Sequence, residues 1–225
     1  LRTPLTVING YLTLLQKQSE SLSVQQQEML AAVERKAQKM AELVEQFYEY
    51  ARMTANDFDL KMEALDMGKL MRETFLSNCL LLETAELEVE ADFPDHPLWV
   101  AGDASALERV FTNLLQNASR YAERYLYLTL HTEAGKAVAC FENDAASLSP
   151  EMLQQLFERF YMNDAARTQG GTGLGLTIAK GLVEEMGGSL EAMLVDAAQS
   201  DAPPAVRFVL CLPLLPQSSL AVQFD

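Results

Sequence analysis

The sequence predicts an α+β protein: a helical hairpin followed by an α/β sandwich with a mixed, mostly antiparallel sheet. Three observations carry this. Glycine and proline occur once each before residue 66, as Gly10 and Pro4, whereas seven of the eleven glycines fall between Gly170 and Gly188. Apolar residues in the front repeat at heptad spacing, which suits packed helices. Beyond it, short alternating runs bounded by turn residues are interleaved with helical runs, the pattern of a sheet covered by helices.

The first seam is Leu1, Leu5, Ile8, Leu12 and Leu15, and the polar stretch Ser19 to Ser23 ends it. A second seam runs through Leu30, Val33, Ala37, Met40, Val44, Phe47 and Ala51, with Glu28, Glu34, Arg35, Lys36, Lys39, Glu42 and Glu45 off it. Two such helices joined by a short connection form an antiparallel hairpin. A hairpin of about 50 residues buries too little surface to stand alone. Val7, Tyr11 and Leu14 add apolar surface off the first seam, which suits a second hairpin in a homodimeric four-helix bundle. Packing on the chain's own C-terminal part is the alternative.

Residues 1–55 are thus read as the hairpin, 56–66 as a linker with one short strand, 67–216 as the sandwich domain and 217–225 as a tail. Within the sandwich, a helix is expected from Met67 to about Leu82. Strands are expected at Glu86–Phe93 and Leu98–Ala101. Asp103 is a fit N-cap for a helix reaching Tyr121. Strands follow at Tyr125–Thr132 and Lys136–Glu142. A helix starts near Pro150, another runs from about Leu174 to Met186 and stops at Gly187-Gly188, and strands at Ser189–Val195 and Ala205–Leu212 complete the domain.

Composition narrows the function. The net charge of −15 argues against binding nucleic acid or anionic lipid, both of which need basic surface. Cys79, Cys140 and Cys211 show no zinc-type spacing and read as reduced, buried thiols. No signal peptide or long apolar run is visible, and the opening Leu1-Arg2-Thr3-Pro4 without a Met reads as that of a fragment.

Three local patterns could carry chemistry. Gly170-Gly171-Thr172-Gly173-Leu174-Gly175-Leu176 stands directly before a helix. Glycines let a backbone approach an anion, and a helix N-terminus offers unpaired N–H groups with partial positive charge. The run lacks the Lys-Ser/Thr ending of a Walker loop and the setting of a dinucleotide fingerprint. A plain flexible connector is the alternative, against which the interleaved leucines speak. Asn113 and Asn117 are i, i+4 neighbours on one helix face, where two carboxamide oxygens can hold Mg²⁺. Arg120, one turn on, could neutralise phosphate and Tyr121 could stack on a base, although asparagine on a helix is often merely solvated. Leu156-Phe157-Glu158-Arg159-Phe160-Tyr161 reads as an aromatic anchor closing one side of a pocket, or as a helix end packed into the core.

In their order and spacing, these pieces resemble the kinase core of bacterial sensor histidine kinases over nearly the whole chain. Leu1-Arg-Thr-Pro-Leu-Thr resembles the end of the H box, Asn113–Tyr121 the N box, Leu156–Tyr161 the F box and Gly170–Leu176 the G2 box. The resemblance implies a dimerisation and histidine-phosphotransfer hairpin joined to an ATP-binding domain of the gyrase, chaperone and histidine-kinase superfamily. It implies Asn117 as the main Mg²⁺ ligand with Asn113 beside it, Arg120 on phosphate and Tyr121 on adenine. Leu148, Arg167, Thr172 and Leu174 join the ATP-binding set. Gly171, Gly173 and Gly175 would shape hinge and phosphate cradle, and Met162–Gln169 the mobile lid. Thr3 matches a position held to orient water when a response regulator is dephosphorylated, or is a solvated helix residue. Pro4 could kink the first helix.

Two departures accompany the resemblance. The phosphoacceptor His and its neighbouring Glu would immediately precede Leu1; neither His96, in the Pro94–Pro97 loop, nor His131, near a strand end, replaces it. The adenine-reading Asp-x-Gly-x-Gly falls on Asn143-Asp144-Ala145-Ala146-Ser147. Asn143 offers a neutral acceptor, and charge-assisted bonds are roughly twice as strong, so ATP binding should be weakened or differently posed. Asp144 is the acceptor if the register shifts by one.

The resulting expectation is ATP-dependent autophosphorylation of the upstream His, then transfer to an Asp of a response-regulator receiver domain. It comes with ATP and Mg²⁺, a homodimer through the hairpin, no nucleic acid, and a cytoplasmic location anchored to membrane only through segments outside this chain. The competing class is a degenerate, nucleotide-gated dimer scaffold or regulator phosphatase without kinase activity. An ATPase of the wider superfamily is a third reading, but its water-activating Glu has no counterpart near Asn113, and Glu108 lies well upstream.

Overall fold

A computed structural model describes residues 2–17, 22–54, 59–145, 148–161, 172–195 and 204–216, the side chains at 2–5, 9, 16, 17, 42, 49, 53 and 54 excepted. The chain divides into two compact units, Leu1–Asp57 and Phe58–Asp225.

The first unit is a pair of contacting helices, α1 (Arg2–Lys17) and α2 (Val24–Thr54). Ser23 opens α2 with a capping box: its Oγ accepts from Gln26 N at 3.4 Å, and Gln26 Oε1 accepts from Ser23 N at 2.9 Å. Leu12 and Ala37 of the two seams are buried. Ile8, Leu15, Val33, Met40 and Phe47, equally on the seams, are about half exposed. One hairpin therefore leaves most of its heptad surface uncovered.

The second unit starts with β1 (Glu63–Asp66), which pairs antiparallel with β3 (Trp99–Gly102). The segment read as linker thus ends inside this small sheet. Asp66 caps α3 (Met67–Ser77) by accepting from Gly68 N at 3.0 Å, and the same oxygen takes Leu98 N at 3.2 Å. The helix expected to reach Leu82 breaks at Asn78 and resumes as α4 (Cys79–Thr84). Asn78 Nδ2 donates to Thr74 O at 2.8 Å, and Asn78 N reaches both Thr74 O and Phe75 O. The side chain competes for the preceding turn's carbonyl and tightens that turn.

Five strands form the main sheet in the order β2-β4-β5-β7-β6: β2 (Glu88–Asp92), β4 (Tyr125–Glu133), β5 (Lys136–Asp144), β7 (Ala205–Pro213) and β6 (Ser189–Val195). The β2–β4 pair is parallel and the others antiparallel, so the sheet is mixed and mostly antiparallel as the sequence predicts. Register puts Leu126, Leu128 and Leu130 opposite Asn143, Phe141 and Ala139, and these opposite Val206, Phe208 and Leu210. All nine are buried. This face takes α5 (Ala104–Tyr121), whose Phe111 ring lies 6.0 Å from that of Phe141, and α7 (Gly175–Glu185). A short α6 (Pro150–Gln155) lies between them in sequence, capped by Ser149 Oγ on Met152 N.

The alternate residues form the sheet's second face. There Tyr125 stacks on Tyr127 at 4.5 Å, and Arg207 pairs with Glu142 at 2.6 Å. Cys79, Cys140 and Cys211 are free but half-buried, not buried as the sequence reading had it. Cys140 and Cys211 fall short of full burial because they lie on this second face, opposite the one that takes α5 and α7, and Cys79 because it opens α4, whose buried residue is Leu82. Burial still pushes the Cys140 thiol pKa up, which keeps it protonated and unreactive.

Asp103 anchors α5, the helix carrying Asn113 and Asn117. It accepts from Ala106 N at 3.0 Å and from Ser105 Oγ at 2.6 Å, and its other oxygen takes Lys61 N at 2.9 Å from 42 residues upstream. Burial alone would raise its pKa. The bonds from Ser105, Ala106 and Lys61 outweigh burial and hold it below the ordinary 3.8. A depressed carboxylate stabilises the fold fully above its unfolded value and loses that stabilisation as pH falls through its folded value. Asp103→Ala should therefore cost about 1–2 kcal/mol at neutral pH, from a lost cap and a lost tether. In urea melts the gap from wild type should close below about pH 3.8.

Candidate functional site

The site is built where α5 meets the start of α7. On α5, Leu107, Val110, Phe111, Leu114, Leu115 and Ala118 face the core and are buried. That fixes the rotation of the helix and leaves Asn113, Asn117, Arg120 and Tyr121 half-buried along its margin. Asn113 Nδ2 donates to Gly175 O at 3.1 Å, a bond across 62 residues. Two of the patterns picked from the sequence are thus joined directly. A Cβ on Gly175 would lie 3.5 Å from Asn113 Oδ1, an ordinary contact, so neither space nor backbone strain requires glycine at this position.

Asn117 stands one turn further along the same face. Its side chain has no hydrogen-bond partner among the described residues. Tyr121 closes the helix; burial raises its hydroxyl pKa and the Arg120 charge works against that, so the ring is neutral at physiological pH.

The first turn of α7 is the second component. Leu174 occupies the N-cap position and provides no side-chain cap. Thr172, buried, takes Leu174 N on its Oγ1 at 3.3 Å and so shapes the entry turn. The next N–H groups, from Gly175 onward, belong to a helix start with no side-chain acceptor among the described residues, the arrangement that favours a bound anion.

The Leu156–Tyr161 segment is tied to the same helix. Thr177 Oγ1 donates to Phe157 O at 3.0 Å, and Lys180 Nζ sits 4.9 Å over the Phe157 ring. Phe157 meets Phe208 of the sheet edge-on at 6.4 Å, so it is the anchor into the core. Phe160, at φ +59°, donates its N–H to Gly173 O at 3.0 Å. Gly173 itself is at φ +68°, and this bond ties the Leu156–Tyr161 segment to the residues that lead into α7. Thr177, Lys180 and this Phe160–Gly173 pairing were missed in the sequence. Thr177 could have been suspected from its place one residue after Gly175-Leu176.

Asn143, next to last in β5, is buried and donates Nδ2 to Asp144 O at 2.8 Å. Asp144 turns its carboxylate to the start of β4: Oδ1 accepts from Glu123 N and Arg124 N, and Oδ2 pairs with Arg124 Nε at 3.4 Å. Leu148 follows, half-buried, with its N–H on Ala145 O at 3.0 Å. Arg167, Gly170, Gly171 and the expected lid Met162–Gln169 lie outside the described residues, as does the side chain of Thr3, whose backbone belongs to α1.

Residues 102–216, just over half of the chain, match the family described as histidine kinase-, DNA gyrase B- and HSP90-like ATPase. Residues 1–56 match the His Kinase A (phospho-acceptor) domain. The chain belongs to the sensor histidine kinases. This kinase core is 28% identical over 84% of its length to the sensor histidine kinase YcbM of Bacillus subtilis (strain 168), covering 62% of that protein. It is 29% identical over 95% of its length to the sensor protein SrrB of Staphylococcus aureus (strain N315), covering 36% of it. The chain thus spans less than two thirds of the length of each of these relatives. Among solved structures, full-length ShkA in complex with AMPPNP superposes with a TM-score of 0.75 at 21% identity, over 95% of this chain and 43% of that one. The Acinetobacter baumannii histidine kinase AdeS superposes with a TM-score of 0.66 at 19% identity, over 96% and 98%. At these identities the likeness is one of fold.

Proposed function

We propose that this chain is the core of an ATP-dependent protein-histidine kinase acting in two-component signalling. The observation that carries the reading is the Asn113–Gly175 bond, which sets a two-asparagine helix face beside an uncapped, glycine-led helix start. A hard divalent ion takes oxygen ligands and keeps several waters. The donor set fits: Asn117 lacks a competing partner among the described residues, and Asn113 keeps Oδ1 outside its bond to Gly175. Mg²⁺ would draw on Asn117, with Asn113 beside it, and would supply charge neutralisation on the phosphates. The N–H groups at the start of α7 would hold phosphate oxygens, with Arg120 adding charge. Arg167, Gly171, Gly173 and Thr172 belong to the same proposed cradle and hinge. Tyr121, Leu148, Leu174 and Asn143 would hold the base.

This arrangement suits phosphoryl transfer, where positioning and charge neutralisation do most of the work. The bond from the γ-phosphorus to its bridging oxygen breaks, ADP departs, and a P–N bond forms on an imidazole upstream of Leu1. An Asp of a response-regulator receiver domain would then take the phosphoryl group, and Thr3, on α1, would orient the water that hydrolyses the aspartyl phosphate to inorganic phosphate. The exposed half of the hairpin seams supports a homodimeric four-helix bundle, since Ile8, Leu15, Val33, Met40 and Phe47 are about half uncovered in one copy. None of the described helices is long and apolar enough to cross a membrane. Cytoplasmic placement, with any anchoring left to other segments, is part of the same proposal.

The test is a chain extended upstream through the expected His, incubated with γ-labelled ATP and Mg²⁺. Acid-labile, alkali-stable label that disappears when the His is replaced is the expected result. A folded dimer that binds ATP yet gains no label would leave a scaffold and remove the kinase.

A further inference from the structure

The free donors at the start of α7 come from three consecutive residues. Ile178 N is the first to bond back within the helix, to Leu174 O at 2.9 Å. The N–H groups of Gly175, Leu176 and Thr177 therefore have no partner in their own helix. Such donors hold an anion well only if their direction is set before the anion arrives.

Three hydrogen bonds from other parts of the chain set it, and they fall on alternate residues. Phe160 N donates to Gly173 O at 3.0 Å. Asn113 Nδ2 donates to Gly175 O at 3.1 Å. Thr177 Oγ1 donates to Phe157 O at 3.0 Å, with Glu158 O a second acceptor at 3.4 Å. The first and the third join one segment, Phe157–Phe160, to both ends of the turn that carries the free donors.

That segment is itself held to the sheet, since Phe157 meets Phe208 edge-on at 6.4 Å. Lys180, three residues on from Thr177, lies 4.9 Å from the centre of the same ring. A ring contact tolerates sliding, whereas a hydrogen bond weakens steeply once it bends or lengthens. Phe157 O takes no main-chain N–H among the described residues, so the Thr177 hydroxyl is the donor that satisfies it. A polar side chain at the third position of a helix can instead turn back over the helix start, as in a capping box. Thr177 points its proton outward, and Leu174 N is taken by Thr172 Oγ1 at 3.3 Å. The donors of the first turn stay open.

We propose that Thr177 is a positioning residue for phosphate binding: its hydroxyl locks the first turn of α7 onto the Phe157–Phe160 segment and so keeps the Gly175–Thr177 N–H groups aimed, without itself touching the nucleotide through that hydroxyl. The proposal rests on the reading of the α7 start as the phosphate-holding element.

Chemical-shift titrations of the ¹⁵N-labelled chain with Mg-ADP and, separately, with adenosine test this, because only the first ligand carries phosphate. Thr177→Ala removes the hydroxyl at a half-buried position and installs the best helix former, so the melting temperature should stay within a few degrees. The Kd for Mg-ADP should rise about fivefold, the worth of one hydrogen bond, while that for adenosine changes less than twofold. Thr177→Ser restores the hydroxyl and should return Mg-ADP binding to within twofold of wild type. Gly187→Ala, at the far end of α7, lowers stability alone and should leave both Kd values unmoved. Thr177→Ala binding Mg-ADP as wild type does, weakening both ligands alike, or matching Thr177→Ser would each overturn the positioning role. Where adenosine shifts are too small to fit, Thr177→Ser against Thr177→Ala decides. Should Thr177→Ala fail to fold, Thr177→Val, equal in shape to threonine, takes its place in the comparison. Wild type that binds Mg-ADP with no shift at Gly175–Thr177, or does not bind it, removes the phosphate reading itself and the positioning role with it.

Discussion

Asn117→Ala should reduce phosphoryl transfer by roughly 100-fold or more while leaving the fold intact, because a metal that neutralises phosphate charge supplies several kcal/mol. Asn117 is half-buried on a helix whose core contacts come from its neighbours Leu114, Leu115 and Ala118, so its removal opens no core cavity. It has no hydrogen bond among the described residues whose loss would have to be made good. Asn113 differs in this respect. Its amide joins α5 to Gly175 at 3.1 Å, so Asn113→Ala should lower both activity and stability. Melting temperature and Mg²⁺-dependent nucleotide affinity, measured side by side, separate the two. An Asn117→Ala protein with wild-type affinity and rate would remove this residue from the metal site.

Gly173→Ala should destabilise the second unit by at least about 2 kcal/mol and abolish tight nucleotide binding. Gly173 is at φ +68°, where an L side chain costs about 1–2 kcal/mol. A Cβ there would stand 2.6 Å from Phe160 C, 2.7 Å from Phe160 Cα and 2.8 Å from Tyr161 O. These are backbone atoms, which cannot rotate away. The Phe160 N to Gly173 O bond must open, and with it the stem between the Leu156–Tyr161 segment and α7. Gly187 gives a control for conformation without collision. It has φ +75° and nothing within 4 Å of its would-be Cβ. Gly187→Ala should therefore shift the melting temperature by a few degrees and leave binding alone, whereas Gly173→Ala should shift it by roughly 5–10 °C. Equal shifts for both would mean that the stem closure has no energetic weight.

How much of this was legible in the sequence depends on the range of the interaction that decides each feature. The limits of α5 could be read because they are local: Asp103 caps it within three residues, and one face is continuously apolar. The strands of the main sheet could be read from their alternation, give or take a residue or two at their ends. The break at Asn78 could not, since asparagine in a helix is common and only its bond to Thr74 O shows that it takes a backbone acceptor. At the site, the Asn113–Tyr121 and Gly170–Leu176 patterns identified themselves, but not the Asn113–Gly175 bond that joins them across 62 residues. Asp144 looked like a spare acceptor. Its actual partners, Glu123 and Arg124, are neighbours only because β4 pairs with β5. Phe160 at positive φ is likewise a consequence of the stem and has no mark in a sequence that favours glycine or asparagine at such positions. The half-exposed seams of the hairpin followed the sequence reading closely, because a heptad pattern states which face needs a partner.

The central claim is that Mg-nucleotide is held at the junction of α5 and α7, on the helix-covered side of the sheet. Amide chemical shifts of the ¹⁵N-labelled chain, titrated with Mg-ADP, test it most directly. The largest changes should fall on Asn113, Asn117, Tyr121, Asn143 and Gly175 through Thr177, with Tyr127, Cys140, Arg207 and Val209 on the second face unmoved. Changes concentrated on that second face, or none at all at millimolar nucleotide, would contradict the account.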